Sequence, residues 1–265
     1  MHFFEGCTAL ITGASAGLGA EFARQLAPVA ARLVLVARRG EQLDNLKARL
    51  EAQHPQVRVF VYVMDITREN QNRDFIAWLE RENIRVNFLV NNAGMGDHGP
   101  FVTGDWAKLH AMLELNIVAL TRLTHHLLPR LLEGGRGAIL NVSSIAGLIP
   151  LPHTSVYAAT KAYVNSFSDG LRMELRNTGV TVTSVLPGPA KTEFSRVASR
   201  GTGESRKMAP EALTVPVHEV VREALAAVAR DKARVIPGWK VALLMGVVAL
   251  LPLGIVRAIL QRSPR

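Results

Sequence analysis

The feature that most constrains this chain is a glycine-bearing turn set between an apolar run and an amphipathic one. Residues 7–12 (CTALIT) read as a buried strand. They lead directly into Gly13-Ala14-Ser15-Ala16-Gly17-Leu18-Gly19, and a helix is expected over 18–27. Glycines spaced in this way permit a tight turn, let backbone approach a pyrophosphate, and allow the helix to pack closely on the strand. The helix N-terminus adds amide donors and the positive end of a dipole. Gly13, Ser15, Ala16, Gly17, Leu18 and Gly19 are therefore the expected phosphate contacts of a dinucleotide. The spacing G-x3-G-x-G departs from the more general G-x-G-x-x-G, so the strand before and the helix after carry the argument.

The rest of the chain continues the alternation. Strands are expected at 33–37, 57–63, 87–90, 138–142, 180–186 and 234–236. Helices are expected at 41–53, from an N-cap at Thr67 through Arg81, at 105–132, at 155–176 and at 218–229. Residues 190–209 read as a loop rich in polar and small side chains. Strands alternating with helices imply right-handed β-α-β units and a parallel sheet covered on both faces. The expected fold is one doubly wound, Rossmann-like α/β domain with a seven-stranded sheet, spanning 1–238, followed by an apolar extension at 239–265. A length of 265 residues, 48% of them hydrophobic, suits such a core.

The end of the second strand selects the cofactor. An acidic residue about 20 positions beyond the glycines would bind a ribose 2′-hydroxyl. Here Arg38 and Arg39 stand there instead, and a guanidinium pairs bidentately with a 2′-phosphate. NADP(H) is the expected cofactor. Farther along, Tyr157 and Lys161 are spaced i, i+4 at the start of a helix, so phenol and ammonium converge on one face. A free tyrosine titrates near pH ~10. A neighbouring cation is expected to lower that value and fit Tyr157 for general acid–base work. Ser144 ends the preceding strand thirteen residues before Tyr157, at the strand end where open α/β sheets place their sites.

Together these motifs resemble the short-chain dehydrogenases/reductases over about residues 5–240. TGASAGLG at 12–19 is similar to the family's cofactor loop, and NNAG at 91–94 to the motif after its fourth strand. The resemblance implies cofactor contacts by Asn92, Ala93 and Gly94, by Asp65 at the adenine, and by Pro187, Gly188 and Thr192 at the nicotinamide. It implies a catalytic group of Asn116, Ser144, Tyr157 and Lys161, with Ser144 preferred to Ser143 for its spacing to Tyr157. In that scheme Tyr157 protonates the alkoxide formed by hydride transfer, and Ser144 orients the substrate oxygen. Lys161 holds the nicotinamide ribose, and Asn116 places a relay water. The family's subunit packing through helices near 105–132 and 155–176 implies a homodimer or homotetramer.

Met95, Ile145 and Leu148 are the expected substrate-facing residues. Their apolar character favours a long-chain, cyclic or aromatic carbonyl compound or alcohol. Competing readings are an NADP-linked hydroxysteroid or acyl-chain alcohol dehydrogenase working oxidatively, and an NADP-binding module without chemistry. A sugar-nucleotide epimerase would need a larger C-terminal domain. No metal is expected: His125-His126 has no matching ligand set. Cys7 reads as a small core residue. The net charge of +9 attracts anionic partners, but the cations are spread along the chain, so nucleic acid is not an expected partner. The N-terminus has no secretion-signal pattern, and a cytoplasmic setting is expected. Between Lys240 and Arg257 lie sixteen uncharged residues, fewer than the ~20 a membrane span needs and interrupted by Pro252. This segment has three readings: a pair of short helices covering the substrate cleft, a subunit contact, or a peripheral membrane contact through residues 239–262.

Overall fold

The computed structural model describes residues 2–189, 194, 198, 200 and 213–262. Seven parallel strands run β1 (Thr8–Thr12), β2 (Arg32–Ala37), β3 (Arg58–Val63), β4 (Phe88–Asn91), β5 (Gly137–Val142), β6 (Val180–Val185) and β7 (Arg234–Val235). Their spatial order is β3-β2-β1-β4-β5-β6-β7. The chain reverses its direction of travel across the sheet between β1 and β4, and a crevice opens there beyond the strand C-termini.

Strands β1, β2, β4 and β5 read as largely apolar runs because both faces are buried, whereas the edge strands β3 and β7 are partly exposed. Ala9 and Ile11 of β1 face one core, and Leu10 between them faces the other. The same alternation holds for Leu33 and Leu35 against Val34 and Val36, as a side-chain period of two requires. The first core is closed by α1 (Gly17–Leu26), α2 (Gly40–Gln53) and α7 (Val217–Ala229). The second is closed by α3 (Glu69–Arg81), α5 (Leu120–Glu133) and α6 (Ser155–Glu174). Leu43, Leu46 and Leu50 form the inward stripe of α2.

One local expectation is refined and one corrected. The long helical stretch expected over 105–132 is unbroken, running through α4 (Trp106–Leu113), a π-helical turn (Glu114–Ala119) and then α5. Thr67 does not cap α3. Its hydroxyl donates to Asp65 Oδ1 at 2.7 Å and its N–H donates to the same oxygen at 3.0 Å, so a nearby carboxylate has claimed it. The expected loop at 190–209 lies mostly outside the described residues. The C-terminal extension folds as α8 (Trp239–Leu250) and α9 (Leu253–Arg262), bent by 119° at Leu251-Pro252. Val241 and Met245 insert into the first core, so α8 is part of the domain.

Candidate active site

The glycine turn is shaped by close backbone approach. Gly13 has φ +66°, and a Cβ there would stand 2.9 Å from Ala93 Cα. A Cβ on Gly19 would stand 2.3 Å from Gly13 O, so only glycine lets α1 start this close to the strand end. Thr12 and Asn92 clasp the turn to the end of β4. Thr12 Oγ1 accepts from Asn92 N and Ala93 N, each at 3.0 Å, and Asn92 Nδ2 donates to Thr12 O at 2.9 Å. Asn92 thus spends its side chain on the turn's backbone. Ala16, at the N-cap of α1, supplies no side-chain cap, which leaves the first amides of the helix available to an anion.

At the neighbouring strand end Arg39 donates to Ser15 Oγ from Nε (3.2 Å) and Nη2 (3.0 Å). Arg38 is exposed. Asp65, at the end of β3, sits below the usual carboxylate range. Partial burial pushes it up, and the two Thr67 hydrogen bonds and the nearby Arg38 and Arg68 cations outweigh that. The cradle of glycine backbone, uncapped amides and an exposed guanidinium fits a phosphorylated dinucleotide.

Tyr157 and Lys161 occupy the first turns of α6, over the end of β5. Lys161 is only 5% exposed, and its Nζ donates to Val142 O at 2.9 Å. Burial pulls its pKa down to about 8. Its ammonium stands 5.8 Å from the centre of the Tyr157 ring. The expectation that Lys161 depresses Tyr157 is not met in the chain alone. Burial pushes the phenol up to about 12, and the opposing pull comes from a hydrogen bond with the Ser144 hydroxyl. The ammonium is turned to the β5 carbonyl instead. Ser144 Oγ also accepts from Ala146 N at 3.1 Å. Ser143, in contrast, is buried and donates to Lys161 O at 3.0 Å.

Asn116 lies in the π turn, a wide helical turn that often marks functional positions. Its Nδ2 donates to Met95 O (2.9 Å) and Thr160 Oγ1 (3.0 Å), and its Oδ1 accepts from Met95 N (3.0 Å). A Cβ on Gly94 would stand 3.2 Å from Asn116 Oδ1 and 3.5 Å from Lys161 Nζ. Bare backbone at 94 therefore keeps a space between the amide and the ammonium.

On the substrate side Met95 is held by Asn116, and Ile145 N donates to Pro187 O at 3.2 Å. Gly188 lies against Val241 of α8. Thr192 is outside the described residues. Leu148 lines a groove of about 630 Å³ with Pro150, Ala159, Arg257 and Leu260, whose walls do not include Tyr157. Sequence reasoning missed three contributors. Phe194 places its ring 5.7 Å from that of Tyr157. Thr160 relays Asn116 to Tyr157 O, donating at 2.7 Å. Buried Asp97 pairs with Arg200 and Lys108, which ties the chain near Ala198 to the segment after β4. Only Thr160, beside Lys161 on a helix face turned inward, was open to recognition from spacing. No group of three metal-ligating side chains occurs among the described residues.

The crevice at the β1–β4 switch point, with its glycine cradle and a Tyr–Lys pair at the end of β5, defines a dinucleotide-dependent oxidoreductase class. Residues 7–202 match the family model described as short chain dehydrogenase, and the chain belongs to that family. A sulfoacetaldehyde reductase 2 from Chromohalobacter salexigens is 42% identical over 194 residues, 72% of this chain and 76% of the relative. A short-chain dehydrogenase from Sphingobium yanoikuyae, solved in complex with NADPH, matches with TM-score 0.80 and 36% identity over 98% of this chain and 97% of that one. The bulky-bulky ketone specific alcohol dehydrogenase from Comamonas testosteroni matches with TM-score 0.77 and 30% identity, covering 98% and 95%.

Proposed function

We propose that this oxidoreductase uses NADPH to reduce apolar carbonyl compounds, with Tyr157 as the proton donor. The observation that carries the reading is the Tyr157 phenol, hydrogen-bonded to Ser144 and set above a buried Lys161. The bound nicotinamide supplies the hydride. A phenol pushed up to about 12 is held protonated at working pH, as a general acid must be. Ser144, with its hydroxyl beside that phenol, orients the substrate oxygen toward it. As the proton leaves, charge develops on Tyr157 next to the Lys161 ammonium, and this pairing is worth most in the buried, low-dielectric setting. Lys161 also takes the ribose, and Asn116 holds the relay water in the space that Gly94 leaves open.

Arg38 is the proposed partner of the 2′-phosphate, with Arg39 bracing Ser15 of the turn. Gly13, Ala16, Gly17, Leu18 and Gly19 cradle the pyrophosphate. Asp65 meets the adenine, with Ala93 and Gly94 along the crevice, and Pro187, Gly188 and Thr192 meet the nicotinamide. The NADPH held by the Sphingobium neighbour supports this cofactor. Phe194, Met95 and Ile145 make the reacting face apolar, which suits a ketone with sizeable apolar substituents, as the name of the Comamonas enzyme states for that protein. A short anionic aldehyde, as named for the Chromohalobacter relative, needs a cation facing the substrate. Among the described residues, the cations Lys161 and Arg200 are committed to Val142 O and Asp97. The exposed Tyr163 and Met173 on α6 mark where a second subunit would pack.

The test is NADPH consumption against ketones graded by chain length and ring size, with NADH in parallel. Tyr157→Phe is expected to lose a factor of about 10²–10⁴ in turnover while keeping its melting temperature. Full turnover by that variant, or tighter use of NADH, would overturn the reading.

A further inference from the structure

We propose that the α8–α9 pair docks this protein on an anionic lipid bilayer, lying in the headgroup–acyl boundary and not crossing it. The inference is independent of the reaction proposed above. Helix α8 is apolar on all sides, as a helix buried all round would be. Yet only one side of it is covered, through Val241 and Met245. The other side presents Leu243, Leu244 and Val247 to solvent, with Leu250 86% exposed at its end. Across the bend Leu253, Ile255 and Ile259 of α9 are exposed as well. Scattered exposed apolar residues are ordinary, but seven on two joined short helices mark a contact surface.

Charge selects the occupant. From Lys232 onward the sequence holds no acidic residue, while Lys232, Lys240, Arg257, Arg262 and Arg265 are basic; Arg234, also in this stretch, is paired with Asp169 of α6. Lys240 and Arg257 flank the apolar side chains. A second copy laid face to face would bring cation against cation with no carboxylate in the segment to pair them. Anionic headgroups meet both the cations and the apolar side chains. Trp239, 73% exposed, stands where the helix enters this surface, and Lys240 Nζ lies 5.7 Å from its ring. An amphipathic ring beside a cation suits the headgroup level. The twelve residues of α8 reach about 18 Å, against a hydrocarbon core of about 30 Å, so the pair lies in one leaflet.

The test is co-sedimentation of the full chain with vesicles of phosphatidylcholine alone and of phosphatidylcholine mixed with phosphatidylglycerol. The wild type is expected to pellet with the anionic vesicles, less with neutral ones, and less at high salt. Leu243→Glu/Val247→Glu/Leu250→Glu should lower partitioning roughly a hundredfold or more while NADPH oxidation with a small soluble ketone stays unchanged. Leu250→Glu alone, at the most exposed of these positions, gives a smaller loss in the same direction and guards against a folding defect. A wild type that stays in the supernatant with anionic vesicles overturns the proposal. So does a triple variant that binds vesicles as before, or one whose only change is a smaller molar mass by light scattering, which would make the surface a subunit contact.

Discussion

Replacing Lys161 with methionine should abolish turnover and at the same time stabilise the cofactor-free fold. The ammonium is buried, and its pKa falls from 10.5 to about 8. The folded chain holds this proton less tightly than the unfolded chain, so unfolding takes up protons between those two values. The charge therefore weakens the fold. Its penalty is full below pH 8, shrinks as pH rises, and vanishes above 10.5. At ~1.4 kcal/mol per pH unit the gap of roughly 2.5 units amounts to about 3 kcal/mol. Methionine keeps the bulk but leaves Val142 O without its donor, a loss of about 1 kcal/mol. The variant should then be more stable than the wild type by about 2 kcal/mol at pH 7. Urea unfolding of both proteins without cofactor, at pH 7 and pH 9.5, measures the difference. The wild type should recover about 2 kcal/mol relative to the variant over that interval. Parallel pH dependences, or a variant less stable at pH 7, would refute the account of Lys161 as a desolvated cation.

Other consequences can be measured more simply. Arg38→Ala should raise the KM for NADPH roughly 10- to 100-fold, the worth of a charge-assisted pair, and leave NADH use unchanged; steady-state kinetics with both cofactors decides this. Gly147→Ala places a Cβ 2.5 Å from Lys161 C, so the turn after β5 must move off α6. Denaturant titration should show a loss of about 1–3 kcal/mol, with a fall in kcat because Ser144 moves with the turn. Burial raises the Cys7 thiol to about 12, so a thiol reagent at pH 8 should label it only as fast as the chain unfolds. Prompt labelling of the native protein would show that the start of β1 is open.

The sheet was legible because most of its strands are largely apolar on both faces, and the turn at 13–19 because its glycines sit between a strand and a helix. The positions of Tyr157 and Lys161 on one helix face also follow from spacing. What spacing does not carry is depth and partner. Tyr157 is raised and not lowered because burial decides its pKa and Lys161 faces the Val142 carbonyl, a backbone atom that no side-chain pattern announces. Thr67 stands where a cap would, but Asp65 two residues earlier is the nearer partner. Leu148 follows Ser144 closely in sequence, yet the short 3₁₀ turn Ile145–Leu148 carries it to a groove shared with α9. Asp97 and Arg200 are 103 residues apart, and only the fold brings them together.

The π turn at Glu114–Ala119 makes the residue count of one helix a functional quantity. Each residue advances an α-helix by about 100°. The wide turn absorbs one extra residue without shifting the two ends out of phase. Leu109 and Met112 are buried on one side of it, and Leu120, Leu123 and Leu127 on the other. Deleting a single residue inside the turn would restore regular α-helix with both packed stripes still in place, but it would remove the wide turn that sets the bearing of Asn116. Length variation in this family member should therefore be free in surface connections and forbidden here, where the helix carries Asn116 at the one bearing that meets both Met95 and Thr160.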